Sequence, residues 1–447
     1  MEALRIVQKM VWGPWLLGLF LAVGVLCMVR LRGFPIRHIR VWWGETVGSG
    51  GKGQLLTTCT ALAATVGTGN ITGVAAALAI GGPGAVFWMW AAAFLGMALA
   101  YTEVYLGILY GGGPYVYLEN GVGSCFAGKC YALFCVLASL GMGCMVQAGA
   151  LADSLRYAAS LPPLGTGIIL AVLTAVVLFG GAKRIGWTAS VLVPVSAGLY
   201  LLAGGIAVFS FYDQIPEILG NIVGGAFGLA DNAGQTDGSS ILNFSGISGG
   251  MTGYGMAAAI RSGVSRGVFS NEAGLGSAPI IYAAAEEGDG IKQGMWGIFQ
   301  VFADTIVGCT VTALCILASG VLDSGLTGVA LSTQAFSSVF GKMGGVFVAV
   351  SIVMFAFATL VSWSYYGEKS LEYLAGERLI PIYRFLYAVC AALGCMLSLD
   401  SVWKAADTFN GLMAIPNMIA LALLSREVFE EMKKHRLVKG GAKSSLP

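Results

Sequence analysis

Charge is scarce in this chain. Only 11% of its 447 residues are Asp, Glu, Lys or Arg, while 57% are hydrophobic. A soluble domain carries roughly 25% charged residues. A chain so poor in charge cannot cover a water-facing surface, which excludes an ordinary soluble globule and a disordered chain. The net charge of +2 is too small to point to a nucleic-acid partner. Histidine is nearly missing. His38 and His435 are the only two, and both stand in basic segments outside every apolar run. Buried His catalysis, haem ligation and His-bound zinc therefore lose their usual residue. The ten cysteines form no CxxC pair. Most fall inside apolar runs, where cysteine packs as a small hydrophobe. The run interiors also lack HExxH and DxxD, so a membrane-embedded enzyme has no nucleophile with a base and no metal cluster to work with. No organic cofactor is called for.

What is present is a series of long apolar runs. A spanning helix needs about 20 apolar residues. Runs of that kind lie at about 11–30, 55–80, 84–109, 131–155, 164–182, 187–211, 252–285, 294–320, 335–366, 384–400 and 405–424. The stretch from Gly53 to Thr102 holds no charged residue, and Gly81-Gly82-Pro83-Gly84 divides it into two runs. The first run has no small-residue cleavage site after it. Arg30, Arg32, Arg37 and Arg40 follow, so it reads as a retained signal anchor.

Lys and Arg in short loops set the orientation. The basic loop after the first run belongs inside, which puts the N-terminus outside. Alternation then places Lys129, Lys183, Arg184, Lys292, Lys369, Arg378 and Arg384 inside, with the tail residues Arg426, Lys433, Lys434, Arg436 and Lys439. The segment 212–250 falls outside and carries Asp213, Glu217, Asp231 and Asp237 with no Lys or Arg. Lys404 is the one loop base on the wrong side. The expectation is an all-α integral membrane protein of about 11 helices in a lipid bilayer, N-terminus out and C-terminus in.

Two runs are interrupted. Ala64-Thr65-Val66-Gly67-Thr68-Gly69-Asn70-Ile71-Thr72 sits in mid-run with apolar residues on both sides. Glycines alone would suit tight helix packing. Asn70 between threonines and glycines suits an unwound turn, whose backbone groups must be satisfied inside the protein. Phe269-Ser270-Asn271-Glu272-Ala273-Gly274-Leu275-Gly276-Ser277 interrupts the seventh run in the same way. Each interruption opens a set of five runs, and the two sets start on opposite sides. Two such halves are the signature of an inverted-repeat transporter. The expected organisation is an extra N-terminal helix and basic loop at 1–50, a first repeat at 51–212, an extracytoplasmic loop at 213–250, a second repeat at 251–425 and a cytoplasmic tail at 426–447. Half-helix N-termini attract a carboxylate, while half-helix C-termini and free carbonyls attract a cation, so a site with both suits a zwitterion.

Thr65-Val66-Gly67-Thr68-Gly69-Asn70-Ile71, Gly81-Gly82-Pro83-Gly84-Ala85-Val86-Phe87-Trp88-Met89-Trp90 and Ser362-Trp363-Ser364-Tyr365-Tyr366-Gly367-Glu368 resemble the alanine or glycine:cation symporter family. So, above all, does Gly267-Val268-Phe269-Ser270-Asn271-Glu272-Ala273-Gly274-Leu275-Gly276-Ser277-Ala278-Pro279. The motifs are long, and in order and spacing they cover nearly the whole chain. The resemblance implies a protein of the prokaryotic cytoplasmic (inner) membrane that imports small neutral amino acids, alanine or glycine, with Na+. It also implies a leucine-transporter-like five-plus-five fold with one extra N-terminal helix.

By the same resemblance the substrate carboxylate meets the backbone amides of Thr68 and Gly69, beside Asn70. Phe269, Ser270 and Asn271 line the opposite wall. Na+ takes the carbonyls of Ala63 and Val66 and the hydroxyls of Thr359 and Ser362. Ala358 stands before Thr359 where many relatives carry a second hydroxyl. Gln147 reads either as a wall of the site or as a helix–helix hydrogen bond. Trp363 reads as a cover for one side of the pocket or as a bilayer-interface residue. Asp304, an intramembrane acid flanked by apolar residues, reads as a cation or proton site, or as a partner of Arg261 or Arg266. Glu272 touches substrate, an arginine or a backbone amide. Arg261 and Arg266 form gate salt bridges or snorkel to the interface. Glu103 reads as structural. Secondary transport by alternating access leads. A proton-coupled carrier of the same fold is the alternative, and a passive channel fits two opposed broken helices least well.

Overall fold

The structure is a computed structural model that describes residues 2–47, 52–228, 250–285, 288–397 and 399–434. Asp231, Asp237, Glu286, Glu287, His435, Arg436 and Lys439 lie outside the described residues. Among the described residues the chain is helical and has no strand. In chain order the main helices are α1 (Glu2–Val11), α2 (Pro14–Arg30), α3 (Lys52–Thr65) and α4 (Thr72–Gly81). Next come α5 (Gly84–Tyr110), α6 (Cys125–Ala159), α7 (Pro163–Leu178) and α8 (Gly181–Phe209). The second half holds α9 (Gly250–Asn271), α10 (Ala278–Tyr282), α11 (Gly290–Ala318) and α12 (Gly328–Phe340). The last three are α13 (Lys342–Ala375), α14 (Ile380–Met396) and α15 (Leu399–Lys434).

Seven described helices are long and apolar enough to cross a membrane, and a bent pair supplies an eighth span. Leu199, Leu202, Ile206 and Phe209 stand exposed along α8, as do Ile168, Ile169, Val172 and Leu173 along α7. Outward apolar surface of that kind is stable against lipid chains and not against water. The molecule is a multi-pass membrane protein.

Helix limits follow local chemistry. Gly82 at φ +61° ends α4, and Pro83, which has no N–H to donate, precedes α5. The ninth apolar run, expected as one span at 335–366, is two helices. Gly341 at φ +55° separates α12 from α13. The backbone turns at a glycine that apolarity alone does not reveal. The bend between Thr57–Thr65 and Thr68–Gly81 is 47°. Between those helices Thr68–Asn70 makes a single 3-10 turn.

The second interruption is narrower than its sequence string. Phe269, Ser270 and Asn271 form the last turn of α9, and the unwound part runs from Glu272 to Ser277. Glu272, Gly274 and Gly276 have φ of +57°, +86° and +79°, which a helix does not accommodate. Ala278–Tyr282 then resumes as α10. Two long helices also carry one wide π-type stretch each, Ser139–Val146 in α6 and Phe302–Cys309 in α11. Such stretches recur at functional sites.

Small residues let these pieces approach. A Cβ on Gly96 would lie 3.1 Å from Ala273 Cβ, and one on Gly107 would lie 2.6 Å from Pro279 Cβ. The long α5 is therefore the rail on which the second broken helix rests. A Cβ on Gly69 would lie 3.3 Å from Ser270 Cα, so the two breaks touch each other.

Candidate functional site

The site is built from the two breaks, the π-type stretches and the middle of α13. In the first break Gly67 N–H donates to Asn70 Oδ1 at 3.0 Å, which fixes the amide orientation. Asn70 Nδ2 then donates to Asp304 Oδ1 at 2.8 Å and to the Asp304 carbonyl at 2.9 Å. Ser270 Oγ donates to the same Asp304 oxygen at 3.2 Å. Asn271 Nδ2 donates to Thr305 Oγ1 at 3.1 Å, and Thr305 Oγ1 donates to Asp304 Oδ2 at 2.7 Å. One carboxylate on α11 thus ties both breaks together. Cys309 joins the cluster, with Sγ 3.3 Å from Asn70 Nδ2 and 3.4 Å from Ser270 Oγ. Thr312 Oγ1 donates to the Asn70 carbonyl at 2.7 Å and Ser332 Oγ to the Ile71 carbonyl at 3.1 Å. These two carbonyls at the end of the unwound turn are partnered inside the protein, as hydrocarbon requires.

On the other side of the first break, Thr68 Oγ1 donates to Gln147 Oε1 at 2.8 Å. Gln147 Nε2 reaches back to the Met142 carbonyl at 3.3 Å, inside the π-type stretch. Gln147 therefore joins the first break to its own helix by hydrogen bonds. Trp363 Nε1 donates to Glu272 Oε1 at 2.7 Å, and Ser277 Oγ donates to Glu272 Oε2 at 2.6 Å. Glu272 meets a tryptophan and a serine, and neither an arginine nor a backbone amide among the described residues. A Cβ on Gly143 would fall 2.3 Å from Trp363 Cβ, so α6 and α13 close tightly here.

A clamp holds the second break from below. Glu103 on α5 accepts from the Gly274 and Gly276 N–H groups, the latter at 3.2 Å. Asn417 Nδ2 donates to the Gly274 carbonyl at 3.0 Å, and Tyr131 Oη donates to the Leu275 carbonyl at 3.1 Å.

Of the residues expected at Na+, Thr359 stands against the first break. Ala63 is buried and Val66 partly so. A Cβ on Gly67 would stand 2.5 Å from Thr359 Oγ1, which places Thr359 against the unwound turn. Thr359 Oγ1 and Ser362 Oγ are both buried without a hydrogen-bond partner. Two orphaned hydroxyls on one helix face are a fit for a hard cation, which takes oxygen ligands.

Two cavities flank this centre. One of about 480 Å³ is lined by Arg261, Ser265, Arg266, Phe269, Lys404 and Asp407. The other, about 350 Å³, is lined by residues that include Tyr115, Ile280, Tyr365, Lys369 and Glu372. The start of α5 follows closely on Ile80, which lines the first, and its end leads to Gly111 and Gly112 in the second. With 27 residues α5 is about 40 Å long, so the cavities open toward opposite faces. At the first cavity, which Phe269 lines, the Phe269 and Trp403 rings pack with centroids 4.8 Å apart. Arg266 lies over both rings and pairs with Asp407 at 3.6 Å. Gln8 Nε2 donates to Asp407 Oδ2 at 2.7 Å, which ties α1 to the same acid.

Arg266 therefore does form a salt bridge, with Asp407. The alternative pairing of Asp304 with Arg261 or Arg266 does not occur. Asp304 sits a break deeper, where Asn70, Ser270 and Thr305 fill its coordination. Arg261 is exposed at the mouth of the first cavity. Asp407, Trp403, Glu103, Thr305, Cys309, Thr312 and Asn417 belong to this architecture and were not read as site residues from sequence. For Asp407 and Asn417 the signal is their spacing with Asn410 on one face of an apolar run.

Two interrupted helices that touch inside a multi-pass bundle fit a membrane transporter. The crystal structure of a manganese transporter of Eremococcus coleocola shares the fold, with TM-score 0.53 and 13% identity over 86% of this chain and 80% of that one. The sodium:alanine symporter family model matches residues 1–445. The sodium/alanine symporter AgcS of Methanococcus maripaludis is 40% identical over 452 residues, 96% of this chain and 95% of that protein. The "Probable sodium/glutamine symporter GlnT" of Bacillus subtilis is 36% identical over 460 residues, 99% and 92% of the two. The chain belongs to the sodium:alanine symporter family. It is a transmembrane symporter of the Na+-coupled amino-acid class and not an enzyme.

Proposed function

We propose that this symporter imports small neutral amino acids, alanine or glycine, with Na+ across a prokaryotic inner membrane by alternating access. The observation that carries the reading is the meeting of the two breaks at Asn70, Ser270 and Asp304, beside two orphaned hydroxyls at Thr359 and Ser362. Substrate carboxylate sits at the amides of Thr68 and Gly69, with Asn70 and Gln147 behind it. Phe269, Ser270, Asn271 and Trp363 form the remaining walls. Na+ sits at the carbonyls of Ala63 and Val66 and the hydroxyls of Thr359 and Ser362. Bound there, it joins α3 to α13 and changes the balance between the two open states.

Arg266–Asp407 and the Phe269–Trp403 pair form the outer gate, with Arg261 at its mouth. Glu272 and Trp363 form part of the inner closure. Asp304 couples the halves, since moving either break disturbs its hydrogen bonds. The spans number eleven on this reading: the seven long helices, the two broken helices, α2 and α7. They make a leucine-transporter-like five-plus-five bundle with α2 as the extra helix, N-terminus out and C-terminus in. The segments 1–50, 51–212, 213–250, 251–425 and 426–447 keep the roles given above.

The test is uptake of labelled alanine by proteoliposomes with and without an inward Na+ gradient. Accumulation above equilibrium that vanishes when Na+ is equalised supports the reading. Uptake that ignores Na+ and follows a pH gradient replaces Na+ with H+ and makes Asp304 the carrier of the proton.

A further inference from the structure

The segment after α2 carries Arg30, Arg32, Arg37, His38 and Arg40, and no acid occurs between Glu2 and Glu45. Two of these arginines are engaged within the protein. Arg30 Nη1 donates to the Ala422 carbonyl at 3.1 Å and to Ser425 Oγ at 2.5 Å, and Arg32 lies over the Phe429 ring. Arg37 and Arg40 are exposed and pair with no acid among the described residues. Other bases that the sequence assigns to the same side are matched: Lys369 by Glu372, Arg384 by Glu368 and Lys434 by Glu431.

The two unmatched arginines stand on ordered helix. A single turn, Phe34–Arg37, bends at His38 into a nine-residue helix, Ile39–Val47. Trp42 and Thr46 are its buried face. Trp42 and Trp43 meet the Phe302 ring at 5.6 and 5.8 Å, where the π-type stretch that carries Asp304 begins. Trp42 Nε1 also donates to the Pro35 carbonyl at 2.9 Å, which ties the two helices together. Next to the buried face, Ile39, Trp43 and Val47 follow one another four residues apart and are 50%, 43% and 57% exposed. Arg40 borders that stripe on its far side. An exposed apolar stripe edged by bases is the pattern of a helix lying at a bilayer surface. Arginines clustered directly after a spanning helix are the pattern that holds anionic headgroups.

We propose that the segment 34–47 is a binding site for anionic phospholipid. Arg37 and Arg40 hold the headgroup phosphate, and Ile39, Trp43 and Val47 lie against the acyl chains. The site stands apart from the transport site and does not depend on which solute is carried. Each base near an anionic headgroup is worth about fivefold in affinity, so two favour an anionic over a zwitterionic phospholipid by about 25-fold.

Tryptophan fluorescence of the full chain in proteoliposomes gives the test. The probes are phosphatidylglycerol and phosphatidylcholine brominated on an acyl chain, each titrated into unlabelled phosphatidylcholine vesicles. Bromine quenches a tryptophan that it touches, and the difference between the wild type and Trp43→Phe isolates the signal of Trp43. That signal is expected to be quenched at about 25-fold lower mole fraction by the phosphatidylglycerol probe. The preference is expected to shrink at high salt, and to vanish when Arg37→Gln and Arg40→Gln are combined. Equal quenching by the two probes in the wild type overturns the proposal, whether or not the double variant folds. So does a preference that survives the double variant.

Discussion

Replacing Thr359 by valine separates ion binding from folding. Thr359 is 1% exposed and its hydroxyl has no partner. Leaving such a group unpaired costs about 1–3 kcal/mol. Valine has the same shape and keeps the packing against Gly67, so Thr359→Val removes that cost in the ion-free protein. Its thermal stability without Na+ is expected to stay equal or to rise. With Na+ the order reverses. A wild type held at ten times its Na+ dissociation constant gains about 1.4 kcal/mol from binding. A variant that binds tenfold more weakly gains only about 0.4 kcal/mol under the same conditions. The assay is thermal unfolding of purified protein across a titration of Na+ against choline at constant ionic strength. A variant that melts lower without Na+ would mean that the hydroxyl has a structural partner. A variant that keeps the full Na+ shift would mean that Thr359 is not a ligand. Either outcome refutes the argument.

Gly143→Ala forces a Cβ to within 2.3 Å of Trp363 Cβ. Overpacking of this kind costs about 1–3 kcal/mol, so lower thermal stability and a loss of alanine uptake are expected, and unchanged kinetics would contradict the tight closure. Asp304→Asn replaces one of two accepting oxygens with a donor, which opposes either Thr305 Oγ1 or the Asn70 and Ser270 donors whichever way the amide is turned. Uptake should fall about tenfold or more with the protein still folded, and wild-type rates would rule out its linking role. Glu103→Gln removes a carboxylate that accepts from Gly274 and Gly276 and replaces charge-assisted bonds with neutral ones. A stability loss of about 1–2 kcal/mol is expected from unfolding curves, with no loss if the clamp is unimportant.

The membrane class and both interruptions were legible because apolar runs and polar strings obey simple rules. Thr65 to Asn70 cannot be a plain lipid-facing helix, and Glu272 to Ser277 unwinds where glycines and an acid interrupt the run. Their meeting was not legible from spacing, since nothing in the sequence says that Asn70 faces Asp304. The resemblance put Thr68, Gln147, Trp363 and Asn271 around one site, and the contacts that the structure gives them are separate pairs, Thr68 with Gln147, Trp363 with Glu272 and Asn271 with Thr305. Glu103 was read as structural, and its contacts to the second break give that reading a specific content. Asp407 went unread because it stands near the end of a run, where a charge looks like an ordinary boundary. Its partner Arg266 lies 141 positions earlier, so only the packing of α9 on α15 reveals the pair. The split at Gly341 escaped for a related reason. A glycine between two apolar stretches looks the same whether the helix continues or turns.

The most direct test of the central claim is to measure alanine and labelled Na+ entering the same proteoliposomes. If one site couples the two, alanine should drive Na+ entry in a fixed ratio, and Thr359→Val and Asp304→Asn should reduce both fluxes together. Alanine uptake without any alanine-driven Na+ entry would contradict it.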